Sequence, residues 1–185
     1  MRGVGRKLAQ AARGVDGVAH GVVDCRPLAR ALAEVVAGQA RPLMRAQPLL
    51  CPEIHGETGL DGPLGGPVLP PAERGAVDGK AVTVMYDRIS AAFRESGDRV
   101  RLVATGALSN VALLIILYPE VLEKVEICVM GGCVGVGNTG PVQEFNIQTD
   151  PEAAKVVFSS GAQVTMVPLE VSERSAARPP TRCTL

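Results

Sequence analysis

The stretch Val100-Arg101-Leu102-Val103-Ala104-Thr105-Gly106-Ala107-Leu108-Ser109-Asn110, running into the apolar residues 111–117, decides the fold. Residues 100–104 read as a short buried strand, Thr105-Gly106 as the turn, and Ser109 or Asn110 as the N-cap of a helix over 111–117. Upstream, Ala81, Met85, Ile89 and Phe93 recur at every fourth position, with Val82 and Ala92 beside them. That spacing predicts an amphipathic helix, ended by Gly97-Asp98. Downstream, Pro119 restarts a helical turn through Val125, and residues 127–130 form a second strand. Asp150-Pro151-Glu152 opens another helix: an N-cap Asp, Pro at the first position and an acid at the positive end of the dipole. Gly161 ends it, and residues 164–167 make a third strand. Helices alternating with short apolar strands predict an α/β layer fold with a largely parallel sheet. In such sheets ligands bind beyond the carboxyl ends of the strands. The residues after Ala104, Met130 and Val167 are therefore the candidates for a site.

The rest of the chain is less patterned. Of its 185 residues, 19 are basic and 19 acidic, and a zero net charge argues against a nucleic-acid-binding protein. All five aromatic residues, Tyr86, Phe93, Tyr118, Phe145 and Phe158, lie between 86 and 158. The longest apolar run, 111–118, is too short to span a bilayer, so no membrane role is expected. Five cysteines without a C-x-x-C pair suit reduced thiols in an intracellular protein and argue against a zinc knuckle. A cytoplasmic location follows, with the basic residues 1–15 bearing a faint likeness to an organellar presequence. Residues 1–34 form a poorly patterned basic segment, in which 27–37 have the spacing of a helix. Residues 51–75 are loop by composition, rich in Pro and Gly. A loop that long is usually functional or disordered, and Glu53, His55, Glu57 and Asp61 within it favour a function.

Two segments carry candidate chemistry. After the second strand, residues 130–140 hold five glycines and Asn138. Gly135 to Gly140 match G-x-G-x-x-G, but Pro141 follows at once where the dinucleotide motif needs a helix. Phosphate binding by this loop stands as a minor alternative. Glu144-Phe145-Asn146-Ile147 then reads as extended, which puts Glu144 and Asn146 on one side and Phe145 on the other. A carboxylate and an amide side by side suit vicinal hydroxyls of a polyhydroxylated ligand; equally, the segment is a polar loop capping the helix at Asp150. His55 is either an ordinary loop histidine or a proton donor or base contact. Cys128 reads as core, and Cys133 lies in the glycine loop with no histidine beside it.

Taken together, these motifs resemble a known family. Glu53-Ile54-His55-Gly56-Glu57-Thr58-Gly59-Leu60-Asp61-Gly62-Pro63, Ala104-Thr105-Gly106-Ala107-Leu108-Ser109-Asn110, Met130-Gly131-Gly132, Gly137-Asn138, Glu144-Phe145-Asn146-Ile147 and Asp150-Pro151-Glu152-Ala153-Ala154 follow in the order and spacing of the inosine/uridine-preferring nucleoside hydrolases, from about 35 to 172. The resemblance implies a Rossmann-like open sheet with helices on both faces. It also implies hydrolysis of the N-glycosidic bond of ribonucleosides to ribose and free base, with one bound calcium ion. Thr105 would give calcium its backbone carbonyl. Asn138, Glu144 and Asn146 would hold the ribose hydroxyls, with Met130 near the sugar and His55 at the leaving-base side. Family members often form homo-oligomers.

The chain also departs from that family. The aspartate-rich segment D-x-D-P-G-x-D-D after the first strand is not present; Asp16 and Asp24 stand singly. After Ser172, where a histidine is usual, residues 173–185 lose all pattern. The expectation is a partial domain over 35–172, cut at both ends, that keeps the ribose-facing half. Such a chain is expected to be weak or inactive, or else a non-catalytic nucleoside-binding module or the partner subunit of a complete paralogue.

Overall fold

A computed structural model describes residues 34–56 and 75–176, together with three two-residue strands, β1 (Leu8–Ala9), β2 (Ala12–Arg13) and β3 (Ala19–His20). Three longer strands follow: β4 (Val100–Ala104), β5 (Val125–Met130) and β6 (Gln163–Val167). The main sheet has the order β1-β4-β5-β6 and is parallel throughout. β2 and β3 pair antiparallel in a separate hairpin. Register aligns Leu102 with Ile127 and Ile127 with Val164, so these side chains share one face.

Helices α1 (Pro52–His55), α2 (Ala81–Ser96), α3 (Ser109–Leu117), α4 (Phe145–Thr149), α5 (Pro151–Phe158) and α6 (Leu169–Ala176) connect or flank the strands. A right-handed crossover between parallel strands that advance in one direction places each connection on the same face. Accordingly Val100, Leu102, Ala104, Val125, Ile127 and Val129 are buried together with Met85 and Ile89 of α2, Val111 and Leu114 of α3, and Val157 of α5. On the opposite face Arg101 and Val103 are exposed, and Glu126, Cys128 and Met130 are half-buried. Of the two helical layers expected, the described residues supply this one. No helix among them is long and apolar enough to cross a membrane.

Several local expectations change. Residues 34–37 are not helical: Val36 bridges to Val77 in parallel, and the Val35 carbonyl accepts from the Val77 amide at 2.7 Å. That pairing uses the backbone a helix would need; residues 27–33 lie outside the described part. The loop over 51–75 contains α1, with Pro52 at its first position, while Glu57 and Asp61 lie outside the described residues. Helix α3 starts at Ser109 with Leu108 as N-cap, so neither Ser109 nor Asn110 caps it. Both are buried inside its first turn and bond elsewhere. The turn after Pro119 is a 3-10 helix (Pro119–Glu123), and β5 begins at Val125. Cys128, expected in the core, is half-buried on the open face. Helix α2 keeps its expected apolar face and ends at Gly97, whose φ of 73° is the left-handed value a Cβ would resist.

Candidate functional site at the carboxyl edge of the sheet

Because β4 and β5 run parallel, Thr105 and Gly131 emerge at the same edge. Asn146 joins them. Its Nδ2 donates to the Met130 carbonyl at 3.1 Å, lies 3.2 Å from Met130 Sδ, and reaches the Thr105 carbonyl at 3.5 Å. Carbonyls only accept, so these contacts fix the amide's orientation and turn Oδ1 away as its acceptor.

Glu144 is 3% exposed. Its Oε1 accepts from the Asn146 amide at 3.0 Å, and its Oε2 from the amides of Gly132 at 2.9 Å and Ile147 at 3.2 Å. Residues 145–149 are therefore helical, with Glu144 as their N-cap, where an extended segment was expected. The physical reason is that the carboxylate satisfies amides that a first helical turn leaves unpaired. Of the two readings of this segment, the capping one describes the geometry, although the helix capped is α4 and not the one at Asp150. Asp150 caps α5 itself, accepting from the Ala153 amide at 3.1 Å.

The helical turn also redirects Phe145. Its ring meets the His55 ring at 5.7 Å between centroids, tilted by 45°. His55 closes α1, an exposed side chain carried to the site by the loop that precedes residue 57. Beside it, the buried Cys51 thiol donates to Glu53 Oε1 at 3.1 Å. This bond, Glu53's own amide and the charge of His55 hold the Glu53 carboxyl below the usual carboxylate range.

Asn138, exposed, accepts from the Phe145 amide at 2.9 Å through Oδ1. It rides on a tight turn in which the Thr139 amide donates to the Gln143 carbonyl at 3.1 Å. A Cβ at Gly137 would run into the backbone O and N of Gln143. The glycine there serves a close approach of the chain to itself, and no helix opens at Gly140, α4 beginning only at Phe145, in keeping with the poor fit of a dinucleotide motif. Gly132, at φ 77°, brings the loop against Met166, whose Sδ a Cβ would meet at 3.0 Å.

His55, Thr105, Met130, Asn138, Glu144 and Asn146 are thus linked through one set of contacts. Sequence reading missed the partners of three supporting groups. Ser109 donates to Asp150 Oδ2, which also accepts from the Leu43 amide at 2.9 Å. Asn110 Oδ1 accepts from the Gln39 amide at 3.0 Å. Glu170 Oε1 accepts from the amides of Val134 at 2.9 Å and Gly135 at 2.7 Å. Only its place just after β6 marked Glu170 in advance.

The family model for "Inosine-uridine preferring nucleoside hydrolase" matches residues 12–184. The chain belongs to this family. It is 46% identical over 145 residues to a protein of Dictyostelium discoideum named "Probable ribonucleoside hydrolase", a match covering 77% of the chain and 42% of that relative. It is 43% identical over 146 residues to the "Pyrimidine-specific ribonucleoside hydrolase RihB" of Escherichia coli, covering 78% and 44%. Among solved structures it resembles a plant nucleoside hydrolase, with TM-score 0.67 and 27% identity over 79% of the chain and 44% of the other. A purine-preferring ribonucleoside hydrolase from Gardnerella vaginalis gives TM-score 0.63 and 30% identity over 75% and 43%. The chain spans less than half the length of the curated relatives it matches.

Proposed function

We propose that this chain binds ribonucleosides by their ribose and serves hydrolysis of the N-glycosidic bond, releasing ribose and a free base. One observation carries the reading: Asn146 gathers the ends of β4 and β5, with Glu144, Asn138 and His55 around it, in a chain of this family. Glycoside hydrolysis passes through an oxocarbenium-like transition state, so hydroxyl positioning and a proton for the leaving group matter most. Asn146 Oδ1 accepts from a ribose hydroxyl, exposed Asn138 offers a second polar contact, and Met130 lies beneath the sugar. The His55 imidazole, held on Phe145, faces the base and can carry its proton. Relatives named for pyrimidine and for purine preference both match, so the shared ribose end is the part assigned.

Calcium is the family's implied ion, with the Thr105 carbonyl as its ligand on this chain. Calcium takes about six to eight oxygens, carboxylates among them. Among the described residues no group of three or more His, Cys, Asp or Glu side chains could hold a metal ion, and Asn146 already reaches toward the Thr105 carbonyl. The described residues do not fit the ion, and no step is derived through it.

A second reading, binding without turnover, is favoured by Glu144: a carboxylate with both oxygens given to three amides organises the site and is poorly placed to act as a base. Calorimetric titration of the full chain with inosine and with uridine, alongside chromatography for hypoxanthine and uracil, tests both readings. Binding weakened about tenfold by Asn146→Ala is expected. Base release above that of the variant supports hydrolysis, binding alone selects the second reading, and absence of binding by either nucleoside overturns both.

A further inference from the structure

We propose that Glu170 is a positioning residue: its carboxylate fixes the glycine-rich loop 131–140, and with it Asn138, against the end of β6. The assignment deepens the ribose-site reading and rests on it. The loop leaves β5 beside β6, and pairing between the two continues past both strands. The Gly131 amide donates to the Val167 carbonyl at 3.1 Å, and the Leu169 amide to the Gly132 carbonyl at 2.9 Å. Helix α6 therefore begins directly against the loop, and Glu170, its second residue, reaches back into it.

Both loop amides of Val134 and Gly135 converge on Glu170 Oε1, at 2.9 and 2.7 Å. Successive amides on one oxygen make a small anion-binding nest. Oε2 is buried and takes no hydrogen bond from the described residues, so the grip is confined to Oε1. Packing contributes little here: Val134, Val136 and Val142 are 81%, 74% and 74% exposed. A loop that buries so little apolar surface is held by hydrogen bonds. The other side-chain tethers act elsewhere: Thr139 on Gln143 joins the loop to itself, and Glu144 on Gly132 and Asn138 on Phe145 join it to α4, which Asn146 fastens to Met130. Glu170 ties the middle of the loop, Val134 and Gly135, to α6. Asn138 is thus held from two sides, by α4 directly and by Glu170 through the loop that carries it.

The test uses the full chain, isotope-labelled, as wild type, Glu170→Ala and Glu170→Gln, with Glu170→Asp in place of the alanine variant if that one does not fold. Amide hydrogen exchange reads the grip without any ligand. Glu170→Ala is expected to speed exchange at Val134 and Gly135 about tenfold while Gly132, held by Glu144, is unchanged. Glu170→Gln keeps an acceptor oxygen and is expected to restore protection to within about threefold. Inosine titration then reads the consequence: affinity falls about tenfold in the alanine variant and returns in the glutamine variant. Unchanged exchange in Glu170→Ala overturns the assignment, as does wild-type inosine affinity in a variant whose loop exchanges faster. Failure of the wild type to bind inosine overturns the ribose-site reading and Glu170's role in it, whereas the exchange result alone decides whether Glu170 holds the loop.

Discussion

Asp150 is fully buried, and three donors converge on it: the Ser109 hydroxyl, the Leu43 amide and the Ala153 amide. A buried carboxylate is tolerated only when its lone pairs are used, and here each donor comes from a different element. The cap on Ala153 was legible in the sequence, because Asp-Pro-Glu before an apolar run is a local signal. The other two donors were not, since they stand 41 and 107 residues away and no local pattern announces them. The helical turn after Glu144 was not legible for a related reason. Glutamate is outside the usual N-cap set, so nothing local announced that its carboxylate accepts from the amides of a helix start. Asp150→Ala strands three buried donors and removes a cap, for an expected loss of about 3 kcal/mol in urea unfolding. Ser109→Ala removes one donor and is expected to cost about 1 kcal/mol. Equal costs for the two would contradict the three-donor account.

At the scale of elements, the strands and the long helices were readable because their apolar periods are local, as in Ala81, Met85 and Ile89 of α2. The short helices α1 and α4 were not, since four or five residues show no period and their form depends on caps and on the contact of His55 with Phe145. The five glycines of the loop were visible in the sequence, but not what they approach, which is the loop's own chain at Gln143 and the neighbouring strand at Met166. What ties that loop down should depend on pH. The Gly135 amide foremost, then Glu170's own amide and that of Val134, with Arg174 nearby, hold the Glu170 carboxyl below the usual range against an opposing desolvation. A carboxyl whose pKa is lower in the folded state favours the tethered loop fully above its unfolded value, about 4.3. That contribution is lost as pH falls through the lower folded value. The amide shifts of Val134 and Gly135 are therefore expected to titrate together below about pH 4.3, and to stop doing so in Glu170→Gln. Movement of these shifts near neutrality instead would show that another group controls the loop.

For the molecule as a whole, the order β1-β4-β5-β6 advances in one direction, so right-handed connections load one face of the sheet, and among the described residues the other is the more open one. The sequence carries a trace of this asymmetry in Val100-Arg101-Leu102-Val103-Ala104, where buried and exposed positions alternate. It could not be read further, because Val103 is as apolar as its neighbours and nothing local says that it is 40% exposed. The open face instead carries the solvent-exposed pair Arg101–Glu126 at 3.6 Å, which contributes little to stability. Stability should therefore be strongly one-sided. Leu102 packs with α2 and α3 at 1% exposure, and Leu102→Ala is expected to cost about 3 kcal/mol by lost transfer energy and the cavity left behind. Val103, one residue on, faces away, and Val103→Thr is expected to fall within about 0.5 kcal/mol of wild type. Both are to be read in one urea unfolding series. A loss at Val103 approaching that at Leu102 would mean that the second face is covered in solution, by another part of this chain or by another copy, and concentration-dependent unfolding midpoints would then separate the two.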